Sequence, residues 1–202
     1  MFTTKEAIEK RRSIRRFNAE PITDEHITEL LMAARLAPSG SNAQPWRFKI
    51  VKDEETKSRL AHAAYDQMFI AKAPVVIVCC ADIKGYLDGT VSGVQDLGKI
   101  GAVEDRIVRI IIDRAGQMKS YTVDQIGPLL ALNVAIAVEH IILRALDFGL
   151  GTCWIRLFDG EIVRNIFGWD DNIFIVALLP VGFPDESPEP RRRLPLEALL
   201  IE

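Results

Sequence analysis

Pro74-Val75-Val76-Ile77-Val78-Cys79-Cys80-Ala81-Asp82 is the stretch that decides the fold. An unbroken apolar, β-prone run closed by a proline and an aspartate suits a central strand buried on both faces, because a strand with one wet face would alternate. Such a strand needs helices over each face. Upstream, Thr3-x-x-Glu6 is a capping-box pattern that opens a helix through about Arg11, presenting Ala7 and Ile8 to a core. A second helix starts after Pro21-Ile22-Thr23, with Ile27, Leu30, Leu31 and Ala34 on one face, and Pro38 stops it. The turn formers Ser39 to Pro45 lead into a short alternating strand, Trp46 to Val51, followed by a helix over 54–65.

Downstream, residues 82–125 hold six of the 13 glycines around one amphipathic stretch, Val103 to Arg114, with Val103, Ile107, Ile110 and Ile111 on one side. This segment is expected to leave the core as a lid or an arm. A long apolar helix over 128–147 then ends at Gly149, Gly151 to Ile155 is a short extended piece, and Asp159 caps a helix through Ile166 that stops at Gly168. Ile173 to Val181 is another buried strand, and the tail from Pro184 is proline-rich and extended. With no internal repeat and no linker, the chain reads as a single α+β domain over 1–202, helices sandwiching a small sheet.

At 49% hydrophobic, 26% charged and a net charge of −3, the composition is that of a soluble globular chain, not of a disordered one or a nucleic-acid binder. The N-terminus lacks the apolar core of a signal peptide, and Gly127 to Gly149 is interrupted by Asn133, Glu139, His140, Arg144 and Asp147, which favours a core helix over a membrane span. Cys79, Cys80 and Cys153 form no CxxC pair, so buried thiols in a reducing cytoplasm are expected rather than disulfides or a structural zinc. The net charge hides an uneven distribution. Residues 1–16 carry six Lys or Arg against two Glu, and Arg191-Arg192-Arg193 lie at the other end.

Several chemistries are poorly supported. Gly93-Val94-Gln95-Asp96-Leu97-Gly98-Lys99-Ile100 imitates a phosphate loop, but Ile100 stands where a magnesium-binding hydroxyl is needed and no buried strand feeds it. There is no Gly-x-Ser-x-Gly, His26, His62 and His140 sit in helical stretches, with His140 read as a core histidine, and no metal-ligand spacing involves them. Asp170-Asp171 and Glu54-Glu55 read as turn and helix-start residues.

What remains suits an anion and a planar ligand. Arg11, Arg12, Arg15 and Arg16 follow a helix, Ser13 adds a hydroxyl, and forked guanidinium groups match phosphate oxygens better than ammonium groups do. Arg191-Arg192-Arg193 precede Leu194-Pro195-Leu196, which implies a docked tail, and the two clusters are expected to converge on one phosphate. Ser39, Ser41, Asn42 and Gln44 offer donors and acceptors for a heterocycle edge, while Gly40 and the Gly149–Ile155 turn allow backbone to approach a flat ring.

At these residues the chain resembles the nitroreductase family of flavin mononucleotide (FMN) oxidoreductases over essentially its whole length. The resemblance rests on Arg11-Arg12-Ser13-Ile14-Arg15-Arg16-Phe17, on Ala37-Pro38-Ser39-Gly40-Ser41-Asn42-Ala43-Gln44-Pro45-Trp46, on Ala73-Pro74, on Gly149-Leu150-Gly151-Thr152-Cys153-Trp154-Ile155 and on Arg191-Arg192-Arg193-Leu194-Pro195-Leu196, in the family's order. It implies the nitroreductase-like fold, with a small central mixed sheet between helices and an extended C-terminal tail. It also implies a cytoplasmic homodimer with FMN at the subunit interface, without nucleic-acid or membrane partners.

Carried over by position, the resemblance assigns the FMN phosphate to Arg11 and Arg193, assisted by Ser13 and Arg191, with Arg12 beside the ribityl chain and Arg15 near N1 and O2. Pro38, Ser39 and Gly40 would line the ring from the other subunit, and Asn42 belongs to the same set of cofactor contacts. Trp154, Ile155, Arg156 and Leu157 would border the ring, with the Arg156 amide directed at N5. Many relatives carry a glycine or a carboxylate where this chain has Arg156-Leu157. The implied reaction is ping-pong hydride transfer from NAD(P)H through N5 to a nitroaromatic, quinone, enone or flavin, without a catalytic side chain. The alternatives are a non-catalytic FMN store or redox sensor, or a relative that fragments flavin or dehalogenates an aromatic ring.

Overall fold

The computed structural model describes residues 1–201. Four strands, β1 (Trp46–Val51), β2 (Val75–Asp82), β3 (Gly151–Thr152) and β4 (Ile173–Gly182), form one sheet in the order β1-β2-β4-β3. Eight α-helices surround it: α1 (Thr4–Lys10), α2 (Asp24–Arg35), α3 (Glu54–Ala63), α4 (Phe69–Lys72), α5 (Ile83–Lys99), α6 (Asp105–Met118), α7 (Val123–Ala145) and α8 (Gly160–Phe167).

The run that reads as buried on both faces is so in fact. Every residue from Val75 to Ala81 is buried. Val75, Ile77, Cys79 and Ala81 point to a layer built by α2 and α7, whereas Val76, Val78 and Cys80 point to one that contains Leu60, Ile70 and Val163 of α3, α4 and α8. A register shift against β4 falls between Cys79 and Cys80, which pair with Ala177 and Ile175 and leave Val176 without a partner on β2. Val176 and Ala177 therefore both join the α7 side. The strands pair antiparallel throughout rather than as a mixed sheet, and the parallel contact among the described residues is one isolated bridge, Ser13 to Thr152.

By length and composition the helical stretch Val123–Phe148 could cross a membrane, yet half of its most apolar window is buried inside the fold. Leu130, Val134, Val138 and Ile141 are fully buried there, each contributing about 1.5–3 kcal/mol by its removal from water. The helix begins before the expected residue 128 because Gln125 accepts from the Thr122 N–H at 2.9 Å and caps an earlier turn. Gly149 ends it at φ +69°, and Asp159 and Gly168 bound α8 as expected. His140 lies on α7 half-buried, with Nδ1 3.2 Å from the Ala33 carbonyl.

Other expectations change. In α1 only Ala7 is buried, and Ile8 is 59% exposed. Residues 83–118 are two helices, and the phosphate-loop look-alike lies inside α5 and its last turn. Of the six glycines in 82–125, Gly85, Gly89, Gly93 and Gly98 stand where a Cβ would meet a neighbour within 3 Å, whereas Gly101 and Gly116 have open space. A Cβ on Gly93 would stand 1.7 Å from the Ser41 carbonyl oxygen, so α5 approaches the 41–43 backbone more closely than any side chain permits. The face of α6 that contains Ile107 and Ile110 remains exposed.

Candidate functional site

The arginine-rich segment after α1 is extended because it is laced between two neighbours. Ile14 donates to the Thr152 carbonyl at 2.9 Å, beside the Ser13–Thr152 bridge. On its other side Asn18 donates to Phe183 O at 3.0 Å, Asp185 donates to Arg16 O at 2.9 Å, and Phe17 bridges Pro184. Glycine makes this possible at Gly151, where a Cβ would lie 2.6 Å from Ile14 Cγ1. Glu186 completes the lacing by accepting from the backbone N–H groups of Arg15 and Arg16 and pairing with the Arg16 guanidinium at 3.3 Å. Those contacts, the Arg15 N–H foremost, hold its carboxyl below the usual value.

This lacing brings the two ends of the chain together. Arg11, Arg12, Ser13 and Arg15 share one cleft of about 450 Å³ with Arg191 and Arg193. Glu9 and Glu189 also line it, so the excess of positive charge comes from the five arginines. Among the described residues Arg11 and Arg191 have neither an ion pair nor a side-chain hydrogen bond, and Arg193 reaches only the carbonyls of Arg191 and Arg192, at 3.3 and 3.4 Å. Arg12 spends Nη1 on the carbonyls of Glu9 and Arg11, both at 2.8 Å. Unpaired guanidinium groups gathered around a hydroxyl are a ready site for a doubly charged phosphate.

The expectation of a docked tail holds only at its start. Leu194 and Leu196 are 68% and 69% exposed, so their apolar faces have no cover within the chain. Pro38, Ser39, Gly40 and Asn42 are likewise apart from the arginine cleft, in a loop whose Ser41, Asn42 and Gln44 all have positive φ. Non-glycine residues rarely take that conformation, and here neighbours impose it. The Gly40 N–H donates to Asn133 Oδ1 at 3.0 Å, Gln44 N–H donates to Ser39 Oγ at 3.0 Å, and α5 presses from behind.

Beyond β3, Ile155 is buried and exchanges two backbone hydrogen bonds with Leu178, at 3.0 and 3.1 Å. Trp154 is half-buried, whereas Arg156 and Leu157 are exposed, and the Arg156 N–H has no partner among the described residues. Sequence reasoning passed over the neighbouring turn, Tyr65 to Phe69. Tyr65 and Asp66 both have positive φ, Gln67 Nε2 donates to Leu157 O at 3.1 Å, and the Arg15 guanidinium lies 5.9 Å from the Phe69 ring centre. No turn-forming glycine or proline marks this stretch in the sequence, so its only visible signal is the gap between a helix and a strand.

The cysteines belong to the core. Burial pushes the Cys80 thiol up to about 12 and raises those of Cys79 and Cys153, which keeps all three protonated near neutrality. Asp170 caps its own turn by accepting from Asn172 N–H at 3.0 Å, and Glu54 and Glu55 occupy the first turn of α3.

The model of the Nitroreductase family matches residues 8–183. A Thermus thermophilus protein named NADH dehydrogenase is 36% identical over 98% of this chain and 94% of its own length. A proposed NAD(P)H nitroreductase of Bacillus subtilis, YdgI, is 30% identical over 96% of this chain and 94% of its own. Among solved structures, a proposed nitroreductase of Exiguobacterium sibiricum in complex with FMN superposes with a TM-score of 0.80 at 25% identity, covering 100% of this chain and 98% of that one. With the family model matched over residues 8–183 and a relative 36% identical over 98% of its length, the chain belongs to the nitroreductase family.

Proposed function

We propose that this chain is a cytoplasmic, homodimeric, FMN-dependent oxidoreductase that passes hydride from NAD(P)H to a small acceptor such as a nitroaromatic, quinone, enone or flavin. The observation that carries the reading is the convergence of Arg11, Arg12, Ser13 and Arg15 with Arg191 and Arg193 in one cleft. Bound FMN supplies a ring atom that accepts and returns hydride, so donor and acceptor can use one face in turn, as ping-pong kinetics requires.

The chain's own residues bind and tune. Arg11, Arg193, Ser13 and Arg191 would hold the phosphate, with Arg12 beside the sugar chain. Arg15, its backbone held by Glu186, brings a positive charge that favours an anionic reduced cofactor. The free N–H of Arg156 offers a donor at the ring edge, between Trp154 and Ile155 on one side and Leu157 on the other. Pro38, Ser39, Gly40 and Asn42 would cover the ring of the partner's cofactor.

Two facts support a dimer. The 38–42 loop is not among the residues that line the arginine cleft, and large apolar side chains stand exposed on α2, α7 and the tail, with Leu132 at 70%. The experiment is direct. Arg11→Ala with Arg193→Ala should leave a folded, colourless protein, whereas undiminished yellow colour would refute the phosphate assignment. Anaerobic NADH or NADPH should bleach the wild-type protein, parallel double-reciprocal plots should follow with menadione, and a monomeric mass in sedimentation would refute the dimer.

A further inference from the structure

A second cavity, of about 260 Å³, lies between the N-terminal segment, the last turns of α7, the turn into β3 and the start of the tail. Ile14, Ile142, Leu146 and Pro184 give it apolar walls. Thr152 is set among them and is only 4% exposed. Its backbone carbonyl accepts from the Ile14 N–H at 2.9 Å, but its hydroxyl makes no hydrogen bond among the described residues. Nor is that hydroxyl sealed. Among the described residues the sealed side-chain polar atoms without a partner are His26 Nδ1 and Thr90 Oγ1, so Thr152 Oγ1 stays open to the cavity it lines. A buried hydroxyl that no protein group pairs is costly, and here its partner must come from the cavity. A water molecule would satisfy it. The charges around the cavity call for an anion. Lys10, Arg11 and Arg12 line it too, and none has an ion pair among the described residues. The carboxylate beside them, Glu186, is spent on the N–H groups of Arg15 and Arg16 and on the Arg16 guanidinium.

We propose that this cavity binds a single-ring aromatic hydroxy acid: the ring lies among the apolar walls, its hydroxyl pairs with Thr152 Oγ1, and its carboxylate meets Lys10, Arg11 and Arg12. Size sets the class. The volume falls below the roughly 300–1,000 Å³ of drug-sized ligand sites, which leaves room for one ring and excludes a nucleotide or a fused aromatic system. Arg11 and Arg12 line both this cavity and the phosphate cleft, so one pair of guanidinium groups faces two anions. Acid and phosphate therefore weaken each other's binding by the same factor. That coupling rests on the flavin function proposed above. The binding of the acid does not.

The probe is 4-hydroxybenzoate, titrated calorimetrically into the purified protein as isolated, with benzoate, 4-hydroxybenzamide and 6-hydroxy-2-naphthoate as controls. Thr152→Val should weaken 4-hydroxybenzoate about fivefold, the loss of one hydrogen bond, and leave benzoate unchanged. Lys10→Gln should weaken it about threefold and leave 4-hydroxybenzamide unchanged, as an exposed charge pair requires. Lys10 is an exposed side chain, so this variant keeps the test open should Thr152→Val fail to fold. The naphthoate should bind about tenfold more weakly than the single ring, and saturating 4-hydroxybenzoate should raise the Kd of FMN about threefold. Wild-type affinity in both variants, equal affinity for the naphthoate, or no binding at millimolar concentration would overturn the proposal, and an unmoved FMN Kd would overturn the coupling. Protein that holds FMN without Thr152-dependent acid binding refutes this inference alone. Protein that holds no FMN but binds the acid through Thr152 refutes the flavin reading alone.

Discussion

The arginine cleft and the 39–44 loop are held by opposite means. In the cleft the backbone is laced as an extended ladder between β3 and the tail, and Arg11 and Arg191 line it with no ion pair or side-chain hydrogen bond among the described residues. In the loop the side chains matter less than the backbone, which takes three positive-φ non-glycine conformations against a helix face that has glycine where it touches. One region stores unpaired charge on a regular frame. The other stores backbone strain against a close contact, and a rigid, strained loop suits the ring-covering role proposed for it.

The contrast predicts where damage should appear. Removing charge from the cleft should abolish ligand uptake and spare the fold. Arg11→Ala with Arg193→Ala is expected to weaken FMN binding by about 3–6 kcal/mol, since each charge-assisted contact contributes about 1.5–3 kcal/mol, with Tm unchanged; spectrophotometric titration checks it. Adding one methyl group behind the loop should do the reverse. Gly93→Ala is expected to cost about 3 kcal/mol of stability, because its Cβ would collide with the Ser41 carbonyl oxygen, and urea denaturation measures it. A wild-type denaturation midpoint would show that the loop is not held by α5.

Acid should unlace the cleft before it disturbs the loop. The folded Glu186 carboxyl lies below its ordinary value of 4.5, so its contribution is complete above that pH and is lost as pH falls through the lower, folded value. Amide exchange at Arg15 and Arg16, compared at equal intrinsic rate, should therefore gain protection between strongly acidic pH and pH 6 in the wild type. In Glu186→Gln that gain should be absent. The smallest expected effect is a control on α6. Gly116 has open space where a Cβ would go, so Gly116→Ala should stabilise by about 0.5–1 kcal/mol, opposite in sign to the same change at Gly93.

These two regions were also unequally legible. The guanidinium clusters and the buried strand are written as residue types, and Asp159, Gly149 and Gly168 mark helix ends by chemistry that acts within a few residues. The glycines of 82–125 look alike in the sequence whether they loosen a loop or admit a neighbour, and only tertiary contacts such as Ser41–Gly93 distinguish the two. Ile8 and Leu196 misled in another way. Apolar character predicts burial, but not whether the covering surface belongs to the same chain.

By itself the amino-acid sequence determined the central strand, several of the helices around it, the two basic clusters and the family pattern they form. Those features depend on local periodicity, capping and side-chain charge. Only the tertiary structure decided that the sheet is antiparallel, that the chain ends meet in one cleft, that Thr90 hides an unpaired hydroxyl and that the 39–44 backbone is strained. Each of these is set by long-range hydrogen bonds and close contacts between residues far apart in the chain, whose partners no local pattern specifies.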